Sequence, residues 1–276
     1  MVSSRLERAR PAANAMSSPL RASAIPTPPP GEDDLPYSDG EPVDSELHLK
    51  QQTLLTSSLA LAWDARDDFY VGGNMAVYYS HLQTKQNDFR GPDVFVVLDT
   101  VRRLRKSWVV WEEGGRRPDV VIELLSPTTE DSDRGEKMRI YARLLSVSHY
   151  YLFDPVTGVF EGYVLDPNTR DYTRMAPAPN GDLPCFVLGL SLGVRPGRYQ
   201  GIEHDWLRWL GPDGQALPTD EEQARAAQEQ ARDAQEQARD AQELAEEHRK
   251  QRVEAERRLA EVLAEIERLK ASGRGD

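Results

Sequence analysis

Pro118-Asp119-Val120-Val121-Ile122-Glu123-Leu124-Leu125-Ser126-Pro127 is the stretch that decides how this chain is read. Five of the six residues from Val120 to Leu125 are apolar. The run is short and closed by proline on both sides, which predicts a buried strand rather than a helix. The sixth residue is Glu123. An ionised carboxylate inside an apolar strand is costly unless a cation, a metal or several donors meet it. A leucine would pack better there, and such departures from packing logic gather at sites of chemistry.

Outward from this strand, Asp93 to Leu98 is a second apolar strand, 30 residues before Glu123 at its opening residue. Trp108 to Trp111 is a short third one, followed by a Glu-Glu-Gly-Gly turn. Phe69–Val71 and Met75–Tyr79 flank Gly72-Gly73-Asn74, which predicts a hairpin. A helix capped by Asp44 or Ser45 is expected to run to about Ala65. On the other side of Ser126-Pro127, Arg134 to Leu145 has helical spacing, with Met138, Tyr141, Leu144 and Leu145 on one face. Tyr150–Phe153, Val159–Leu165, Tyr172–Met175 and Phe186–Leu188 are expected as strands between Pro, Asn and Gly turns, and Trp206, Leu207, Trp209 and Leu210 form an apolar cluster. The order predicts an α/β fold: a mixed central sheet flanked by helices, extra antiparallel strands, and a long C-terminal helix.

The 276 residues divide into three compositions. Residues 1–35 are rich in Ser, Ala, Arg and Pro and are expected to be disordered, with Pro-Thr-Pro-Pro-Pro at 26–30 opening a linker and Met16 as an alternative start. Residues 36–218 hold all the aromatics and form the folded domain; residues 219–276 hold none. Mean hydropathy is -0.63, and no apolar run approaches the ~20 residues of a membrane span. The single Cys185 excludes an internal disulfide and a cysteine-based zinc site, and fits a cytoplasmic setting. The net charge of -12 argues against a general nucleic-acid-binding surface, so phosphate contacts would have to be local.

The tail is repetitive. Ala-Gln-Glu-Gln-Ala-Arg-Asp stands at 227–233 and again at 234–240. With Ala231 at heptad position a, the a positions are Ala231, Ala238, Ala245, Arg252, Leu259 and Ile266; the d positions are Ala234, Ala241, His248, Ala255, Val262 and Leu269. Sustained 3.5-residue spacing favours a left-handed coiled coil and a homo-oligomer, a dimer at the simplest. A lone, charged, solvated helix is the other reading, since the alanine half of the seam buries little.

Asp93 and Glu123 on neighbouring strands offer oxygen ligands suited to a hard divalent cation, Mg²⁺ or Mn²⁺. Lys137 shares a helix face with Tyr141 and Leu144, which points it toward the sheet and Glu123. Two carboxylates, a metal and an amine are what phosphodiester hydrolysis requires. Asp93 also reads as a Pro-Asp turn into its strand, and Glu123–Lys137 as a structural ion pair. Asp119 reads as a solvated strand cap and His48 as structural. Arg102, Arg103, Arg105 and Lys106, with Arg116 and Arg117, form the dense basic cluster of the domain. That cluster would meet a nucleic-acid backbone, with Trp108 and Trp111 for stacking, or is a solvated charge run.

Gly91-Pro92-Asp93, the stretch Pro118 to Thr128, Asp133-Arg134-Gly135-Glu136-Lys137, Tyr141, and Tyr151-Leu152-Phe153-Asp154-Pro155 together resemble the Uma-type (Uma two) family of putative restriction endonucleases, within the PD-(D/E)XK nuclease superfamily. The likeness spans about residues 35–210, including Asp39-Gly40-Glu41 and the helix with Glu46 and His48. It implies a PD-(D/E)XK nuclease-like fold and a metal-dependent endonuclease acting on DNA. It implies Asp93 and Glu123 as metal ligands, the Leu124 backbone carbonyl as a third, and Glu46 as a further carboxylate. The superfamily's lysine would fall at Leu125, so Lys137 takes its place as the candidate. The alternative is a catalytically inactive nuclease-fold module for nucleic-acid binding or oligomeric interaction.

Overall fold

The structure is a computed structural model describing residues 29–36, 45–80 and 89–272. Its centre is a six-stranded sheet in the order β1 (Phe69–Gly72), β4 (Val94–Leu98), β6 (Val120–Leu124), β7 (His149–Phe153), β8 (Phe160–Asp166) and β9 (Asp171–Arg174). Only β6 and β7 pair in parallel, Val120 opposite His149 through Leu124 opposite Phe153; the other neighbours are antiparallel. A parallel pair cannot be closed by a tight turn. The crossover is the helical segment α2 (Glu130–Ser132), a π-helical turn (Asp133–Lys137) and α3 (Met138–Arg143).

The two-residue period of β6 sorts its side chains between two cores. Val120, Ile122 and Leu124 pack with Leu55 and Leu59 of α1 (Glu46–Ala62) and with Leu192, Leu207 and Trp209 of a second sheet. That sheet is β10 (Leu183–Cys185), β11 (Leu190–Tyr199) and β12 (Ile202–Leu210). Val121 faces the other way, with Tyr141 and Leu145 of the crossover and with Val77 and Trp108. Glu123 shares the Val121 parity. Val77 and Trp108 belong to a third sheet, β3 (Phe89–Arg90), β2 (Val77–Tyr78) and β5 (Trp108–Val109). The result is the expected mixed α/β architecture with a long C-terminal helix.

Several local expectations are corrected. Phe69–Val71 and Met75–Tyr79 do not form a hairpin: β1 pairs with β4, and β2 with β3 and β5. Gly73 passes so close to the Asp93 carbonyl that a Cβ would lie 2.3 Å from it. Asn74 sits at φ 48 and its N–H donates to the Pro92 carbonyl at 3.0 Å. The glycines therefore carry the chain across the start of β4 into another sheet. Phe186–Leu188 is a 3-10 turn ended by Gly189 at φ 66, because the Phe186 N–H leaves the ladder to donate to His149 Nε2. The long β11–β12 ribbon was not expected from the Gly- and Pro-rich segment 190–201. It turns through Gln200 and Gly201, both at positive φ, as a two-residue hairpin does.

The crossover helix begins at Glu130, four residues before the expected start, and α1 ends at Ala62 with Ser45 as its cap. Residues 1–28, Met16 among them, and Asp39-Gly40-Glu41 lie outside the described residues. Residues 29–36 pack on the body: Leu35 is buried, Trp111 Nε1 donates to the Pro30 carbonyl, and Tyr78 donates to the Pro36 carbonyl. The tail is one helix, α4 (Asp220–Ser272), 53 residues long. Thr219 and Glu222 close a capping box at its start. Among the described residues no helix is long and apolar enough to cross a membrane.

Candidate active site

Val94 stands opposite Ile122, so the antiparallel register places Asp93 beside Glu123 at the end of the sheet. Asp93 is partly exposed, and its Oδ2 accepts the Leu124 N–H at 2.7 Å. That bond fixes one carboxylate oxygen to the backbone of the strand that carries the other acid. Glu123 is fully buried. Tyr141 donates to its Oε1 at 2.7 Å, and Lys137 Nζ lies 3.2 Å from its Oε2. The helix-face reading of Lys137 and Tyr141 thus puts both groups on one carboxylate, and the structure brings Asp93, Glu123 and Lys137 together.

It adds a residue that sequence reasoning passed over as a site member. Asp133, buried to 1 % exposure, lies one turn before Lys137, and its Oδ1 is 2.8 Å from Lys137 Nζ. The contact is an ion pair without hydrogen-bond alignment, and Oδ2 has no hydrogen-bond partner either. Tyr150 donates to the Asp133 carbonyl at 2.9 Å and pins the π-helical turn to the sheet. The signal lay in the 133/137/141 spacing, hidden by the polar run around it.

Three carboxylates face one ammonium. Burial pushes Glu123 up to about 8; Lys137 opposes this, and Asp93 and Asp133 add to it. Burial likewise raises Asp93, against the Leu124 N–H and the Lys137 charge. For Lys137 burial favours the neutral amine, but Glu123 and Asp133 outweigh it and hold the pKa above the ordinary lysine value. The amine is therefore a cation at neutral pH, and the site lacks positive charge.

The donor set fits a hard divalent cation: all oxygen, two carboxylates from adjacent strands, and excess negative charge. Among the described residues no three His, Cys, Asp or Glu side chains are spaced to hold one ion. An ion here would rest on Asp93, Glu123, the Leu124 carbonyl and water, the sparse ligation typical of Mg²⁺.

Glu46 is not brought to the cluster. It sits in the first turn of α1, 77 % exposed, and pairs with Lys50 at 3.3 Å. First-turn acids favour the helix dipole, which explains its place. His48 ties α1 to the end of β6 instead. Its Nε2 is 3.1 Å from the Leu125 carbonyl, and its Nδ1 is 2.8 Å from Ser45 Oγ. The carbonyl can only accept, so the proton belongs on Nε2. Asp119 caps the strand, accepting the Leu98 N–H at 2.8 Å.

The basic cluster is not a free patch. Arg105 is buried against Glu113 at 2.6 Å and stacks over Trp108 and Tyr70. Arg103 pairs with Glu113 and Glu32, Arg102 with Asp64, Lys106 with Asp33, and Arg116 with Asp99. Trp108 is wholly buried, so it is no stacking platform for a base. Burying the Arg105 guanidinium over Trp108 requires a local counter-charge, which Glu113 supplies.

Residues 25–195 match the family described as Uma2, putative restriction endonuclease. No curated protein matches the chain. Among solved structures, a putative nuclease belonging to DUF820 from Anabaena variabilis is similar at 15% identity and a TM-score of 0.39, over 54% of this chain and 79% of that one.

Proposed function

The chain belongs to the Uma2 family of putative restriction endonucleases, and from that premise we propose that it is a Mg²⁺-dependent endonuclease hydrolysing phosphodiester bonds in DNA. The observation that carries the reading is Glu123: a fully buried carboxylate beside Asp93, held by Tyr141 and Lys137 in a site short of positive charge.

Asp93, Glu123 and the Leu124 carbonyl would hold the ion. The ion, when bound, supplies charge to the phosphate and lowers the pKa of water. Tyr141 orients Glu123 by its 2.7 Å bond, and the Leu124 N–H orients Asp93, so neither carboxylate reorganises as charge develops. Lys137 reaches the rim, one-fifth exposed, and places an ammonium where an incoming phosphate meets the carboxylates. The tail joins two copies.

Plasmid hydrolysis with Mg²⁺ tests this in wild type, Glu123→Ala and Lys137→Ala. Loss of at least ~100-fold in both variants is expected for residues in contact with the reacting groups. Equal rates in all three end the reading. The rival, an inactive nuclease-fold module, would keep Glu123 and Lys137 as a buried ion pair. Calorimetry separates the two, since that module takes up no Mg²⁺ or Mn²⁺.

A further inference from the structure

Asp133 is an expensive residue with no structural need met by its charge. Its carboxylate is buried, Oδ2 has no hydrogen-bond partner, and its one cation is Lys137. The fixed point of the π-helical turn is its backbone carbonyl, which Tyr150 holds and which any residue would offer. A buried carboxylate so poorly satisfied is costly to the fold unless its charge is used. π-Helical turns of this kind are frequent at functional sites.

The distances indicate the use. Lys137 Nζ stands 2.8 Å from Asp133 and 3.2 Å from Glu123. The amine is shared: it donates a hydrogen bond to Glu123 Oε2 and lies nearer to Asp133, which attracts it by charge alone. Were Asp133 neutral, the ammonium would have Glu123 as its one close carboxylate and would fall onto it. Glu123 would then be neutralised as a cation ligand, and the ammonium would be withdrawn from the phosphate side.

We propose that Asp133 is a positioning residue of this site: it takes a share of the Lys137 ammonium from Glu123, so that the carboxylate can turn to a divalent cation and the ammonium to the substrate phosphate. The inference rests on the nuclease reading above and deepens it.

The test is a double-mutant cycle in the full-length protein: wild type, Asp133→Asn, Lys137→Ala, and both together. Mg²⁺ or Mn²⁺ affinity is measured by calorimetry, and kcat and KM by plasmid hydrolysis. Asp133→Asn is expected to weaken ion binding and lower kcat by ~10–100-fold, the range for groups that orient a ligand, with KM little changed. In the Lys137→Ala background the same substitution should change ion affinity by less than ~3-fold, because a residue acting through Lys137 has nothing left to position. Asp133→Ser, smaller and also neutral, must give the same cycle, which guards against a folding defect peculiar to one variant. If Asp133→Asn leaves affinity and kcat unchanged, or lowers them equally in both backgrounds, the role given to Asp133 is wrong while the nuclease reading stands. If the wild type binds no divalent ion and cuts no DNA, the nuclease reading fails and this inference fails with it.

Discussion

In the metal-free fold Glu123 holds its proton to higher pH than in the unfolded chain. Its folded pKa of about 8 lies above the ordinary 4.5, so its own contribution to stability is full below about 4.5, declines as pH rises between those values and levels off above about 8. Each unit is worth ~1.4 kcal/mol at most, and relaxation of the fold lowers that ceiling. Glu123→Gln should therefore stabilise the metal-free protein at pH 8 by about 2 kcal/mol and flatten the decline; urea unfolding at pH 6 and pH 8 measures it. His149 acts at the other end. Burial lowers its pKa to about 4, its Nδ1 has no partner, and Nε2 accepts the Phe186 N–H. The unfolded imidazole takes a proton below about 6.5 and the folded one resists until about 4, so stability is lost as pH falls through that window. His149→Gln, which keeps an acceptor, should remove most of this acid loss, and an unchanged slope between pH 6.5 and 4.5 would contradict it. Glu123 was legible because a carboxylate stands out in an apolar strand. Asp133 was not, because Glu130, Asp131 and Glu136 surround it and only its burial tells it apart.

The elements are locked by side chains that stand in for backbone. Gln51 of α1 is fully buried; its Nε2 donates to the Leu207 carbonyl at 2.9 Å and its Oε1 accepts the Leu207 N–H at 3.0 Å. β12 is an edge strand, and this one amide completes its ladder where a neighbouring strand would. Gln51→Leu leaves both backbone groups buried and unmet, so a loss of about 2–4 kcal/mol is expected in denaturant unfolding. Arg105 works similarly between β1 and β5. Burial raises the Glu113 carboxyl, but the Arg105 and Arg103 contacts outweigh it and hold it below the usual range. Arg105→Ala should cost about 3 kcal/mol by uncovering Trp108 and leaving Glu113 with Arg103 alone, and leave DNA affinity within ~2-fold; a large affinity loss at unchanged stability would favour the basic cluster as a DNA contact. Apolar runs such as Val94–Leu98 and Val120–Leu124 were readable because burial on both faces removes alternation. The Gly72-Gly73-Asn74 hairpin was misread because tight approach to Asp93 and a reversal demand the same residues.

At the scale of the whole molecule, the body and tail obey different physics. From Gln223 to Arg268 every residue of α4 is exposed, including Leu259, Val262 and Ile266 at 61, 56 and 42 %. Those three are the a, d and a positions of the heptad, and Leu269 continues it. Among the described residues the body holds the helix at its root, where buried Arg208 pairs with Glu222 and donates to the Leu217 carbonyl. A helix of 53 residues spans about 80 Å at 1.5 Å per residue, too long to fold back on a body that touches only its first turn. The alanine half of the seam permits close approach but buries little, so the proposed association would rest on the aliphatic turns. Light scattering should give the full chain about twice its 31.1 kDa at micromolar concentration. A chain ending at Arg225, which keeps the Arg208–Glu222 anchor, should be a monomer with the stability of the body intact. Val262→Glu with Ile266→Glu should do the same without shortening the chain, since two buried acids per strand oppose pairing. A full-length monomer would refute the pairing, and a dimer that survives both changes would place self-association on the body.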